Sequence, residues 1–380
     1  MFGKVRSLLS SSKSTKMHSV AILGGNSLLG QHVFTSLLNR VPHISVWTPD
    51  REFVNRLEDN QNNPSKGVSY FVGPEQLSAA ITDCDIVFNL HELQDFSNTP
   101  NKESLYKNNV EFVEGLLEIC AEQKVATLIH LSSIYLQCSA WWPNVGSREL
   151  ESDRFVRGNP FPAYFNSKHE AERLVSECET LKRLIVRIGP LYGEGDCCSI
   201  ICDAIKLSRR FGSIPVIGDL DGAVQFTYAG NAADAVIRCA EQIESFELAQ
   251  QEIVNISDPT PVKSLFDGVA RDCYEAGGNY LSAWTIPFWL FFPLYFLISF
   301  LGYLLDFVPY IKNPLADLPS ASYVYFMLRQ WTFLSDYRLR LLADYKPTYD
   351  ERESLQRSLQ YYGQKLHSDD IKSYSWQVVN

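Results

Sequence analysis

Residues 19–41 read SVAIL, GGNSLLG, QHVFTSLLNRV: an apolar run, a glycine turn from Gly24 to Gly30, then apolar positions at helical spacing. Similar short apolar runs recur at HISVW (43–47), DIVFNL (85–90), ATLIHLSS (126–133) and LKRLIVRIG (181–189). Helix-like stretches separate them, among them NNVEFVEGLLEICAEQ (108–123) and NSKHEAERLVSECE (166–179). Alternation of this kind predicts an α/β fold built on a parallel, doubly wound sheet with right-handed crossovers. The 380-residue chain accommodates one such core of about 250 residues and an appended part.

Composition removes several classes. Hydrophobic residues make up 46% and charged residues 21%, which is globular rather than disordered or coiled-coil. The net charge of −10 has the wrong sign for a protein held by phosphates, so nucleic acid is not an expected partner. Nine scattered cysteines without a CxxC pair indicate neither a disulfide scaffold nor a zinc module. Cys197, Cys198 and Cys202 match no common ligand spacing and are expected to pack as small residues, with no metal.

The glycine turn follows a predicted strand and opens a predicted helix, where backbone N–H groups and the helix dipole receive a dinucleotide pyrophosphate. The fold is therefore expected to be of the Rossmann type. Gly24 is the candidate tight-turn glycine and Gly30 the helix-packing glycine, with Asn26 and Leu28 alongside. Ser27 stands at the middle glycine position, where its side chain would crowd the pyrophosphate or bond to it. At the end of HISVW an acid would bind a ribose 2′-hydroxyl and repel a 2′-phosphate. Thr48 stands there instead, followed by Asp50 and Arg51, so the cofactor is NAD or NADP, with a slight lean toward NADP.

Tyr164 and Lys168 lie one helical turn apart on a predicted helix. A lysine ammonium there is expected to lower the phenol pKa, so that tyrosine exchanges a proton with an alcohol or carbonyl while hydride moves at a nicotinamide. The spacing alone is not specific, since Tyr361 and Lys365 repeat it. Position decides: Ser132 and Ser133 fall at the carboxyl end of a predicted strand upstream of Tyr164, where open α/β sheets bind ligands. Ser133, Tyr164 and Lys168 are thus the candidate catalytic set, the serine hydroxyl holding the reacting oxygen.

Between Glu275 and Asp306 lie 30 residues without a charge, with WTIPFWLFFPLYFLISFLGYLL at their centre. With Pro287 at the first turn, residues 288–305 form a helix of about 27 Å, near the roughly 30 Å of a bilayer's hydrocarbon. Having no polar face, it belongs in a membrane, spanning or monotopic, or else in a core or subunit interface, with Pro293 counting against one straight span. The first 19 residues are basic and serine-rich without an acid, as in a flexible tail or an organelle leader. The expected organisation is a tail over 1–18 and an NAD(P)-binding domain over 19–275, with substrate-binding elements from about residue 190 onward. A hydrophobic segment over 276–310 and a C-terminal substrate-side region over 311–380 follow.

Taken in order, GGNSLLG, CDIVFNLHE, NNVEFVEGLLEIC, LIHLSSIYL, YFNSKHEAERLV, VRIGPLYGEGD, VQFTYAGNAADAV and VNISD give a sequence that resembles the extended short-chain dehydrogenase/reductases. Within them it resembles the 3β-hydroxysteroid dehydrogenase/isomerase family. The resemblance implies Tyr164 as acid/base, Lys168 as its activator and ribose ligand, and Ser133 as the substrate-orienting hydroxyl. It places Asn89, Leu90 and His91 along the cofactor, Asn109 as support, and Ile188 and Pro190 beside the nicotinamide. It also implies a steroid or sterol substrate, a membrane-associated protein and a homodimer. The membrane would be the endoplasmic reticulum, with the catalytic domain facing the cytoplasm, or else mitochondrial. Plain 3β-hydroxysteroid dehydrogenases, those that also shift the Δ5 double bond, and sterol-4-carboxylate dehydrogenases all fit. Sugar-nucleotide chemistry on the same fold and a catalytically silent NAD(P)-binding scaffold are the competing readings. Departures from the family pattern are Ser27, Thr48 and Gly230 before Asn231.

Overall fold

The computed structural model describes residues 17–60, 67–147, 149, 158–218, 222–250, 252–308, 313–364 and 377–379. The basic tail and leader expectations, and Lys365, lie outside the described residues. Seven parallel strands form the central sheet: β1 (Ser19–Leu23), β2 (His43–Thr48), β3 (Val68–Val72), β4 (Ile86–Asn89), β5 (Thr127–Ser133), β6 (Lys182–Ile188) and β7 (Ile253–Ile256). Their order across the sheet is β7-β6-β5-β4-β1-β2-β3. Every residue of β4 and β5 is buried, because helices cover both faces and leave no polar side to alternate toward water.

The predicted runs all become strands of this sheet, and the order reverses between β1 and β4, which opens a crevice at their carboxyl ends. Register sets what lines it: Leu23 pairs with Asn89, Asn89 with His130, and Ser133 with Ile188. Helix α1 (Leu28–Leu37) follows β1 directly, α2 (Phe112–Glu122) precedes β5, and α3 (Pro162–Glu177) carries Tyr164 and Lys168. One π-turn, Lys107–Glu111, leads into α2 and sets Asn109 into the interior. Helix α4 (Ala229–Glu241) packs behind the sheet against α1.

The uncharged segment divides in two. Leu281–Pro287 is a strand paired parallel with Ile214–Gly218, and Phe288–Leu305 is helix α5, with Pro287 at its N-cap and Pro293 inside it. Helix α5 is not a core helix, since only Ser299 and Gly302 are buried in it. That stripe is tied to the body. Asn98 Nδ2 donates to Ser299 O at 2.7 Å, Asn313 Nδ2 to Gly302 O at 2.7 Å, and Tyr295 OH to Pro319 O at 2.7 Å. A Cβ on Gly302 would lie 2.7 Å from Asn98 Nδ2 and 2.9 Å from Leu315 Cβ, so glycine permits this approach. The opposite faces leave Trp289, Leu290, Leu294, Phe296, Leu297 and Phe300 exposed.

Candidate active site

The site begins at the turn between β1 and α1. Gly24 has φ +83°, and a Cβ on it would stand 2.8 Å from the Leu90–His91 backbone, so only glycine passes here. A Cβ on Gly30 would lie 2.2 Å from Gly24 O, which is the close helix–strand contact expected of the third glycine. Ser27 takes a role the sequence reading did not name: its Oγ accepts the Gly30 N–H at 2.9 Å and caps α1. The Asn26 carboxamide oxygen receives the Thr48 hydroxyl at 2.8 Å, and Thr48 is wholly buried. Arg51 is exposed at the start of the helix after β2.

Asn89 and His91 sit deeper. Asn89 Nδ2 meets His130 Nδ1 at 3.0 Å, and burial, with the Lys168 charge second, pushes the His130 imidazole well below its usual pKa. The His91 ring packs on Trp47 and Phe112. Asn109 braces the loop after β4: its Oδ1 accepts Leu93 N–H at 2.8 Å, and its Nδ2 donates to Leu93 O and Ser167 Oγ, each at 2.9 Å.

Tyr164, Lys168 and Ser133 come together as the spacing predicts, each less than 5% exposed. Lys168 Nζ donates to Leu131 O at 2.7 Å and pairs with Glu92 Oε2 at 3.1 Å. Tyr164 OH donates to the same Glu92 oxygen at 3.0 Å. Glu92 closes the sequence CDIVFNLHE and went unassigned in the sequence analysis; the available signal was an acid immediately beyond a buried strand at the ligand-binding edge. Burial drives its carboxyl up, but the Lys168 ammonium and hydrogen bonds from Gln94, Lys168 and Tyr164 outweigh this and hold it below the usual range.

This carboxylate changes the expected electrostatics. The phenol of Tyr164 lies well above its ordinary pKa rather than below it. Burial raises it most, the Glu92 charge adds to the rise, and the Ser133 hydrogen bond opposes it. Lys168 is paired with Glu92, so the phenol faces an ammonium–carboxylate pair and not the lone ammonium that the helix spacing alone suggests.

An open cavity adjoins this cluster. Ser27 and Leu28 line it at the N-terminus of α1, Ser133, Ile188 and Pro190 at the strand ends, and Tyr323 and Met327 from the C-terminal helix Ala321–Arg329. A helix N-terminus, a glycine that admits close backbone approach and a lysine with one N–H beyond its two partners suit a nicotinamide dinucleotide. A second cavity of about 520 Å³ lies on the other side of Phe96 and Tyr164, bounded by Asn98 and Ser320. Of the clustered cysteines, Cys202 is buried with its Sγ 3.7 Å from Asp196 O, and burial raises its thiol well above the usual value; Cys197 and Cys198 are half-buried, and Cys198 lines the cavity. Tyr361 lies in helix Glu351–Gln364, its hydroxyl on Asp196 O, away from β5.

Residues 21–287 match the sequence profile of the 3-beta hydroxysteroid dehydrogenase/isomerase family, and the chain belongs to that family. It is 24% identical over 360 residues to mouse sterol-4-alpha-carboxylate 3-dehydrogenase, decarboxylating, covering 92% of each chain. It is 25% identical over 370 residues to mouse 3 beta-hydroxysteroid dehydrogenase type 7, covering 90% of this chain and 94% of that one. In fold it resembles UDP-glucuronic acid 4-epimerase from Bacillus cereus, a structure in complex with NAD, with a TM-score of 0.64 at 16% identity. That match covers 94% of this chain and 99% of the epimerase.

Proposed function

We propose that this member of the 3-beta hydroxysteroid dehydrogenase/isomerase family is an NAD(P)-dependent dehydrogenase that oxidises the 3β-hydroxyl of a steroid or sterol at a membrane surface. The observation that carries the reading is the buried meeting of Tyr164, Lys168 and Ser133 beside a cavity that reaches the N-terminus of α1. The sterol-processing relatives support the substrate class. Gly24, Ser27, Leu28, Ile188, Pro190 and Lys168 would hold the dinucleotide, whose nicotinamide supplies the hydride acceptor.

The chain's own residues handle the proton. Ser133 orients the substrate hydroxyl toward Tyr164. Tyr164 takes the alcohol proton on its phenolic oxygen while its own proton passes to Glu92 Oε2, to which it already donates at 3.0 Å. The relay suits a phenol held protonated, because no free phenolate has to form first. The Lys168 ammonium balances the charge that moves through this group.

Helix α5 is the proposed membrane contact. Its ties at Tyr295, Ser299 and Gly302 run along the helix to the body, so a bilayer-spanning pose would have to break them. Lying in one leaflet keeps them and buries the exposed aromatic and aliphatic faces, with Trp284 and Trp289 suited to the headgroup boundary.

The test offers NAD and NADP separately to detergent-solubilised protein with a neutral 3β-hydroxysteroid and follows absorbance of the reduced nicotinamide. Turnover that falls about 100- to 10,000-fold in Tyr164→Phe is expected. Unchanged turnover in that variant overturns the role of Tyr164, and cofactor binding without oxidation overturns the substrate class. Absorbance of a conjugated ketone in the same cuvette reports isomerisation.

A further inference from the structure

Resting on the dehydrogenase reading, we propose that Glu92 is a specificity-determining residue: it makes the site select a neutral 3-hydroxysteroid or sterol over one bearing a carboxylate on the carbon next to the reacting alcohol. The first relatives named above divide between these two substrate types by name, and the charge of the site discriminates between them.

A carboxylate beside the reacting carbon needs a cation near Tyr164. Among the described residues that line the cavity on the Ser133 side there is no lysine, arginine or histidine, and the acids there are Glu92, Asp196 and Asp203; the second cavity, which Tyr164 lines, carries Lys102 beside Asp95 and Glu170. Lys168 is the ammonium at the reacting centre, and Glu92 Oε2 already pairs with it at 3.1 Å. The same oxygen stands 3.0 Å from the phenol that must touch the substrate alcohol. A substrate carboxylate one carbon away would therefore come within about 4–6 Å of the Glu92 carboxylate. At that distance and an effective dielectric near 20, repulsion between two unit charges lowers binding by up to the order of 100-fold, the Lys168 ammonium 3.1 Å from Glu92 offsetting part of it. Glu92 cannot easily turn away, being 4% exposed and held also by Gln94 Nε2 at 2.5 Å on Oε1.

Neutralising Glu92 has a double effect. It removes the repelling charge and leaves Lys168 to meet the substrate's anion, so the preference for the neutral sterol is lost.

The full-length protein in detergent micelles is offered a neutral 3β-hydroxysterol, its 4-carboxylate and the methyl ester of that carboxylate, with turnover and equilibrium dialysis both measured. The neutral sterol and the ester are expected to be used, with kcat/KM for the acid about 10- to 100-fold lower. Glu92→Gln is expected to raise the acid-to-neutral ratio by a similar factor. The ester comparison needs no variant and so survives a folding defect in Glu92→Gln. An acid used as well as the neutral sterol, an ester refused as strongly as the acid, or an unchanged ratio in folded Glu92→Gln each overturns the proposal. If none of the three is oxidised, the dehydrogenase reading fails separately. The acid-to-ester ratio of dissociation constants still decides the charge question, and absence of binding by all three overturns both.

Discussion

Replacing Asn109 by alanine tests how the proposed catalytic centre is held. The side chain is buried and makes three hydrogen bonds, two to the backbone of Leu93 and one to Ser167 Oγ. Ser167 keeps a partner, because its hydroxyl also donates to Tyr164 O at 2.9 Å. Leu93 loses the partners shown for its N–H and for its C=O on this side, and each unpaired buried group costs about 1–3 kcal/mol. The expected loss is therefore about 3–4 kcal/mol, or roughly 4–5 °C in Tm for a chain of this size. Urea unfolding followed by fluorescence measures it. Because Leu93 adjoins Glu92, kcat is expected to fall as well, in protein still folded at the assay temperature. A loss below about 1 kcal/mol, with kcat unchanged, would refute the bracing role and show that the loop after β4 holds its shape without Asn109.

Three further outcomes are expected. Glu172 and Arg187 form a buried ion pair through two contacts, 2.7 and 2.6 Å, so Glu172→Gln leaves a buried guanidinium uncompensated. Denaturant titration should show a loss of about 3–5 kcal/mol. Burial raises the Glu172 carboxyl, but Arg187 outweighs it and the net shift is downward. That contribution is therefore fully present above the ordinary glutamate pKa and is lost as pH falls through the lower folded value; unfolding curves collected from neutral pH downward check the sign. In helix α5, Leu294→Glu with Leu297→Glu alters side chains that are 58% and 51% exposed, so Tm should barely move while flotation with lipid vesicles is lost; equal flotation would refute a membrane role for this face. Gly30→Ala places a Cβ 2.2 Å from Gly24 O, and α1 must shift away from the turn; dinucleotide affinity measured by fluorescence should fall at least about tenfold, or 1.4 kcal/mol.

The sheet was legible because its signal is local. A strand buried on both faces needs a continuous apolar run, and DIVFNL and ATLIHLSS supply one that needs no distant partner to be recognised. Gly24 and Gly30 were legible for a similar reason, since turn and helix packing leave no room for a Cβ. The start of α5 after Pro287 was legible from proline chemistry. Ser27 was not, because a serine before a helix caps it or faces a ligand by choice of rotamer, and only the Gly30 N–H at 2.9 Å decides. Glu92 was not either: its meaning depends on α3 laying Tyr164 and Lys168 over it from 72 positions away along the chain, in the case of the tyrosine. The downward pull of a lysine on a neighbouring phenol is a pairwise rule, and here burial, with the Glu92 charge second, sets the phenol high instead.

The segment from Glu92 to Asn98 links parts of the molecule that the sequence presents separately. Its first residue holds Tyr164 and Lys168. Phe96, in its middle, places its ring 5.0 Å from Tyr164, 5.0 Å from Phe161 and 5.0 Å from Tyr323, and so forms the wall between the two cavities. Asp95 fixes the turn by accepting Ser97 N–H at 3.0 Å and Asn101 N–H at 2.8 Å. Asn98, its last residue, clasps Ser299 of the apolar helix, and the Asn98 N–H donates to Leu318 O at 2.7 Å. Helix α5 therefore bears on the proposed catalytic centre through this segment as well as through Phe288 and Phe292, whose rings meet Tyr325. A displacement of α5 from the body has to break the Asn98–Ser299 pair before it can move Phe96. The short, buried geometry from Asp95 to Asn101 makes that pair the point where strain on the helix would reach the wall of the site.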